Sequence, residues 1–550
     1  MATHTALLIT GGHVFTPSGI CEEPVLIVDG VISAIGEDAL AAEGVVEIDA
    51  KGGLVSPGFQ DCHVHPYHAG LDMLTCDLTP YVVTEDYLAR IAQYASDNPD
   101  LPWITGGGWS MGSFPDGLPT AAMLDTIVPN RPAFFPNRDG HGAWVNSKAL
   151  EVAGIDDTTA DPFDGRIERD AHGQAIGVLQ EGAMELVARH IPLPTQDDLD
   201  EALKIAQQQL FAWGVTGWHD AIVGATNDTP DLLDSYLRVT ASGVLKAHVV
   251  GALWWDRNRG LEQIEELVAK RDRALAAGFA ATTVKIMQDG VAENFTAGML
   301  EPYLDSCGCP GENTGKSFVD PTTLKEIAIR LDALGFQLHF HALGDRAVRE
   351  SLDAIEAART ANGDKDLRHT LAHIQVIHPD DIARFAELGV VANMQPLWAT
   401  HERDMDELTI PFLGNRRAAW QYPFGSLQRA GAPLASGSDW PVSTANPLEI
   451  IHTTVNRSTA GASGAAALPF LGEQALSLAD AVIAHSLGTA YLNHDEHRSG
   501  TIEVGKAGDI VILDRDIFAA PVAEIGSASV VYTIIGGEIV FDAALVPAAV

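Results

Sequence analysis

The stretch Leu54-Val-Ser-Pro-Gly58-Phe-Gln-Asp-Cys-His63-Val-His65 decides the fold. It reads as one buried strand over Leu54–His65 with two imidazoles at its C-terminal end. Residues i and i+2 of a strand share a face, so His63 and His65 point the same way. Seven more runs read as buried strands: Val215–Val223, Ala247–Leu253, Thr282–Met287, Phe336–Ala342, Thr370–Val376, Val390–Met394 and Leu434–Ser438. Most are followed by a helical segment. After Phe318-Val, Asp320-Pro321 reads as an N-cap followed by proline at the first helical position, and Leu324, Ile327, Leu331 and Leu334 then recur at helical spacing. Eight strand–helix repeats predict an α/β fold, a closed parallel (β/α)8 TIM barrel. An open doubly wound sheet is the competing arrangement. The barrel is preferred because eight strands close, and because polar residues fall at the strand ends.

Outside the barrel the pattern changes. Ala6–Ile9, His13–Thr16, Val25–Val28 and Val31–Ile35 are short strand-like runs broken by turn residues. Asp509–Leu513, Val530–Ile535 and Glu538–Phe541 match them at the other end, with Gly536-Gly537 as a hairpin turn. The expectation is a small β-sandwich domain built from both termini, residues 1–55 and 500–550, around a barrel of residues 56–69 and 199–499. Residues 70–198, between the first two strands, are too many for a plain loop and predict an inserted subdomain near the barrel mouth. Leu199–Trp213 reads as a barrel or lid helix.

Composition narrows the function. The 550 residues hold 34 Lys+Arg against 74 Asp+Glu, a formal charge of −40. Such a surface repels phosphate backbones, which argues against nucleic acid as a partner. No basic cluster offers a grip on anionic lipid. With 46% hydrophobic and 20% charged residues, the chain has the makings of a large core, unlike an acidic disordered polymer. Five scattered cysteines are not a disulfide framework, so a reducing, cytoplasmic location is expected. Cys307-Gly-Cys309 reads as ordinary thiols in a loop. The first apolar run has no Lys or Arg before it, which argues against a secretory leader, and no apolar stretch is long enough for a transmembrane helix.

The chemistry gathers at strand ends. The fourth strand carries Lys285-Ile-Met-Gln288-Asp289, the fifth His339-Phe-His341-Ala-Leu-Gly-Asp345, the sixth His373, and the eighth ends Ser436-Gly-Ser-Asp439-Trp-Pro441. Barrel active sites are built at these C-terminal ends. Two convergent neutral imidazoles are a good start for Zn²⁺ or a similar metal, and four His, one Asp and one Lys on one mouth strengthen that reading. His219-Asp220 ends the second strand and is expected to face the mouth. His68 either supports the His63/His65 pair or is exposed. Trp109, Trp144, Phe135 and Trp398 either wall an apolar pocket or pack internally, and Gly106-Gly-Gly108 reads as a flexible turn.

The order His-x-His, Lys, His, His, Asp on strands one, four, five, six and eight resembles the amidohydrolase superfamily. The tail Ser499-Gly-Thr-Ile-Glu-Val-Gly-Lys506-Ala-Gly-Asp509 is similar to that superfamily's returning β segment. More narrowly, the chain resembles the amidohydrolase-3 branch, which includes YtcJ-like proteins and N-substituted formamide deformylases. The marks are Gly108-Trp109, Asp139-Gly-His141-Gly-Ala-Trp144, Asp289-Gly290-Val-Ala-Glu293-Asn-Phe-Thr296-Ala297 and His341-Ala-Leu-Gly-Asp345.

This resemblance implies His63, His65, His341 and Asp439 as ligands of a divalent metal, zinc foremost, with His373 as a further ligand or a substrate-facing imidazole. His339 then sits one layer down. Two readings of Lys285 stay open: carboxylated by CO₂ and bridging two metals, or unmodified beside one. The implied reaction is hydrolysis of a C–N bond in a small N-acyl or N-formyl amide. Metal-activated water attacks, Asp439 moves the proton, and His141 or His373 stabilises the oxyanion. Trp109, His141, His219 and Gln288 are the candidates for substrate contact, and a homodimer is the family-level expectation. A deaminase or cyclic amidase would use the same site. A non-catalytic scaffold would be expected to have lost ligands, whereas every ligand position here is filled.

Overall fold

A computed structural model of the chain describes residues 6–225 and 229–546. The first five residues, part of the stretch read above for a leader, lie outside the described residues. Eight strands form one parallel sheet: β1 (Phe59–Val64), β2 (Val215–Val223), β3 (His248–Trp254), β4 (Ala280–Met287), β5 (Gln337–Ala342), β6 (Thr370–His373), β7 (Val391–Met394) and β8 (Leu434–Ser436). They are ordered from β1 to β8 without a crossover. The last strand returns to the first: the Asp439 N–H donates to the His63 carbonyl at 2.7 Å, and the His65 N–H to the Trp440 carbonyl at 2.9 Å. Gly437 permits this approach, because a Cβ there would lie 2.7 Å from the His63 nitrogen.

Alternation along β5 shows why the sequence builds a barrel. Leu338 and Phe340 join the apolar core beneath the helices, while His339 and His341 approach other imidazoles. The strand is buried throughout, with one apolar and one chemical face. The surrounding helices follow the expected rules. In the helix Pro321–Ala333 the Asp320 carboxylate accepts from the N–H groups of Thr322 and Thr323, and Leu324, Ile327 and Leu331 are buried.

One sequence expectation is corrected. Leu54–His65 is not one strand. Leu54–Pro57 pairs with His13–Thr16 and Ile510–Leu513 in another sheet, and only Phe59–Val64 enters the barrel. The break falls at Pro57-Gly58. Proline has no N–H to donate to a ladder. A Cβ on Gly58 would come within 2.3 Å of the Thr216 hydroxyl oxygen. The apolar pattern runs through this break and conceals it.

The sheet containing Leu54–Pro57 has six strands, three from the C-terminal end (Ile510–Leu513, Val530–Ile535, Glu538–Asp542) and three from the N-terminal end (His13–Thr16, Gly19–Cys21, Leu54–Pro57). It packs through Val14, Val55, Ile510, Ile512 and Ile534 against Leu7, Ile9, Val25, Ile27 and Ile48 of a four-stranded N-terminal sheet. The β-sandwich from both termini is therefore present. The long segment between β1 and β2 carries a six-stranded sheet of its own, from Cys76–Asp77 to Ala175–Glu181. Its core includes Tyr87, Trp109, Phe114, Phe135 and Trp144. Among the described residues no single helix is long and apolar enough to cross a membrane.

Candidate metal centre and cavity

His63 is the last-but-one residue of β1, and His65 follows the strand. Their Nε2 atoms lie 3.3 and 2.9 Å from Asp439 Oδ1. Among the described residues that oxygen nevertheless has no hydrogen-bond partner, and neither do the buried Nδ1 atoms of His65 and His373. Donor atoms that converge without proper hydrogen bonds are what a ligand set for a cation looks like. His63, His65 and Asp439 form such a group within 4.8 Å. The ring of His373 lies 4.7 Å from that of His63 and 4.5 Å from that of His341, and Lys285 Nζ is 3.3 Å from His63 Nε2. Imidazole nitrogens with a carboxylate suit Zn²⁺ and similar divalent ions, so these residues fit the group the sequence implies.

Electrostatics keeps the imidazoles available. Burial, then Lys285 and neighbouring rings, holds His63 well below the ordinary histidine value. Burial and then His141 do the same for His341, and burial and then His341 for His373. All three are neutral, with lone pairs free. Burial also lowers the Lys285 ammonium to about 7, against the opposing charge of Asp439. For Asp439 burial acts upward, but nearby His65, His373 and Lys285 outweigh it and hold the carboxyl below its usual value.

Strained backbone sets two of these residues. His373 has φ 76° and Asp439 φ 59°, the left-handed region, which costs a non-glycine residue about 1–3 kcal/mol. Hydrogen bonds hold both: the His373 N–H donates to Gln395 Oε1 at 2.7 Å, and the Asp439 N–H to His63. Asp61 ties β1 to β8 by accepting from the N–H groups of His63 and Ser438.

Some of the sequence candidates lie elsewhere. His339 is one layer down, its Nε2 3.0 Å from His63 Nδ1. His219 does not face the mouth. It is fully buried beneath His339, with ring centroids 5.2 Å apart, and its Nδ1 is 2.8 Å from Asn493 Oδ1. Gln288 turns away, donating to the Val319 carbonyl and to Glu350. Neither is among the residues that line the cavity described below, and a strand-end position alone did not reveal which layer each side chain joins. His68 packs edge-on against His65. Trp144 and Phe135 belong to the core of the inserted sheet. Cys307 and Cys309 are exposed and lie in a turn organised by Asp305.

His141 comes from the insertion and reaches the barrel centre, 5.2 Å from the His341 ring. Burial alone would lower it, but Glu181, 3.0 Å from its Nδ1, raises it to about 9. Glu181 is in turn held down to about 2: burial acts upward, and the charge and hydrogen bond of His141 overcome it. Sequence reasoning missed Glu181, which sits 40 residues from its partner at φ 52°. It also gave Asp289 no role. The Asp289 carboxylate accepts from the N–H groups of Gly298, Leu343 and Gly344 and lies 3.2 Å from His341 Nδ1. This contact turns His341 so that Nε2 faces the centre, as carboxylates commonly do for ligating histidines. The Asp289-Gly290 motif was the available signal.

Above this centre lies a cavity of about 370 Å³. Its wall includes Leu343 beyond β5, Gln375 beyond β6, Trp398 beyond β7, Ser443 beyond β8, and Trp109, Arg138 and Asp139 from the insertion. Trp398 stacks on His373 at 5.2 Å, and the His141 backbone N–H donates to Asp139. The cavity wall therefore touches the imidazole cluster through Trp398 and Asp139. A wider depression lined by Met73, Tyr81 and Arg90 shares no wall residue with it.

Residues 46–541 match the amidohydrolase family model known as Amidohydro_3. The chain is 31% identical over 547 residues to Protein LONG AFTER FAR-RED 3 of Arabidopsis thaliana, covering 97% of this chain and 91% of that one. It is 27% identical over 541 residues to N-substituted formamide deformylase of Arthrobacter pascens, covering 95% of each. Among solved structures it is similar to an uncharacterized metal-dependent hydrolase from Pyrococcus furiosus, with 25% identity, a TM-score of 0.68, and 93% of this chain and 99% of that one covered. The imidazole–carboxylate cluster at the barrel mouth thus sits in a chain matched along nearly its whole length, and this chain belongs to the amidohydrolase family.

Proposed function

We propose that the protein is a metal-dependent hydrolase of C–N bonds acting on a small N-acyl or N-formyl amine. The observation that carries this reading is the convergence of His63, His65, His341, His373, Lys285 and Asp439 on one mouth, with neutral imidazoles and an ionised carboxylate. The formamide deformylase relative and the metal-dependent hydrolase neighbour support it.

His63, His65, His341, His373 and Asp439 would hold a divalent cation, zinc being our choice. Bound there, the cation supplies a water whose pKa falls from ~15.7 to about 7. Asp439, ionised at neutral pH, takes the proton as the water oxygen bonds to the carbonyl carbon, and returns it to nitrogen as the C–N bond breaks. The products are an acid and an amine. His141, protonated below about 9, offers an N–H and a positive charge to the carbonyl oxygen as that oxygen becomes anionic. Trp109 and Trp398 keep water from the cavity wall. Burial of Lys285 supports a neutral amine that CO₂ can carboxylate, giving a second anionic oxygen ligand and room for two ions.

The test is metal analysis together with a panel of N-formyl and N-acyl amines, scoring released acid. Release of formate or another acid with about two ions per chain supports the reading in full, and one ion leaves Lys285 unmodified. Ammonia as the product would make the protein a deaminase instead.

A further inference from the structure

The cavity wall carries four carboxylates, Asp139, Glu293, Glu402 and Asp404, and a single guanidinium, Arg138. Among the described residues no Lys or Arg forms a salt bridge with any of the four. Asp139 accepts from the His141 backbone N–H, Glu293 from the Thr409 hydroxyl, and Asp404 Oδ2 from Ser110, but among the described residues Asp404 Oδ1 has no hydrogen-bond partner. Two other wall residues point to a ligand independently. Tyr422 and Gln375 are only 2% and 1% exposed. The Gln375 side-chain amide donates to Gln421 Oε1, but among the described residues no hydrogen bond reaches its own Oε1 or the Tyr422 hydroxyl. The amide oxygen accepts and the hydroxyl can accept or donate. Burial foremost pushes Asp139 upward and Glu293 to about 7; neighbouring carboxylates add to it, while His141 and the Thr409 hydroxyl act the other way. Trp398 and Tyr422 add aromatic surface, which attracts cations.

We propose that this cavity receives a cationic nitrogen of the substrate, an alkylammonium or guanidinium, so that amides bearing a second basic nitrogen are preferred. The substrate class rests on the hydrolytic reading above; the cation site does not. Its excess of acceptors over donors is what a protonated amine needs and what a carboxylate would avoid.

The experiment has two arms on the full, metal-loaded chain. In the first, calorimetry compares n-butylammonium, 1-butanol and butyrate. The ammonium is expected to bind roughly tenfold more tightly than either, and to weaken as salt rises. Glu402→Gln and Asp404→Asn should each shrink the ammonium-to-alcohol ratio, and Arg138→Gln, which removes the cation from the wall, should enlarge it. Equal binding of ammonium and alcohol, preferred binding of butyrate, or a ratio unmoved by all three substitutions overturns the proposal. In the second arm, N-formyl-1,4-diaminobutane is compared with N-formylpentylamine, and kcat/KM should favour the former. Ammonium binding without cleavage of any amide would refute the hydrolytic reading and leave the cation site standing. Cleavage indifferent to charge, with no ammonium binding, would do the reverse.

Discussion

Histidines in two regions of this molecule differ in charge, neutral in one and protonated in the other, for reasons of surroundings alone. On the barrel strands, His63, His341 and His373 are buried among one another and beside Lys285, and all are held neutral. On the insertion, His141 is somewhat less enclosed and faces Glu181, and is held protonated to about 9. The difference teaches a division of labour. The barrel gathers lone pairs suited to a cation, and the insertion delivers a proton donor to the same centre.

The largest effect is expected at the carboxylate that both regions serve. Asp439→Asn should keep metal yet lower turnover by about 10²–10⁴-fold. Near-normal turnover, measured with metal content in the same preparation, would remove Asp439 from proton transfer. Next comes the donor itself. His141→Ala should lower kcat by about 10²–10³-fold, the range for losing one oxyanion donor, while the barrel ligands still hold metal. If metal is lost as well, the two regions are not separable in this way.

Glu181→Gln tests the cause of the contrast. The protonated form of His141 exists below about 9 and is lost as pH rises through that value, so the rate should fall on that alkaline limb. Without Glu181, the largest influence opposing burial is gone, leaving Asp139 and Asp439, and His141 is lowered. The limb should then move to lower pH, with activity regained on acidification. A limb that stays in place would show that another group sets it. The smallest effect is expected one layer down. His339→Phe removes the partner of His63 Nδ1 and should cost about 1–3 kcal/mol of stability, read as a drop in Tm. An unchanged Tm would mean that this buried contact is not a hydrogen bond of consequence.

Much of the centre could be read from the chain because strands convert spacing into direction. His63 and His65, or His339 and His341, must share a face, and strand ends mark the mouth. Depth is a different matter. Period two does not say whether an inward residue stands at the rim or a layer below, as at His219, nor where a side chain just past the strand will turn, as at Gln288. The turn at Pro57-Gly58 was hidden because apolar residues continue on both sides of it, in two different sheets. Glu181 was beyond reach for another reason. It meets His141 only because the inserted sheet pairs Gly142 with Gln180, a register that no local motif announces. The cavity wall, drawn from the ends of five barrel strands and from the insertion, is likewise a product of assembly.

The most direct test of the central claim is to strip metal from the purified chain with a chelator, restore zinc in steps, and follow ion content and acid release from an N-formyl amine together. Loss of activity on stripping, and recovery in proportion to ions regained, is the predicted result. Hydrolysis that persists unchanged in the stripped protein would contradict the account.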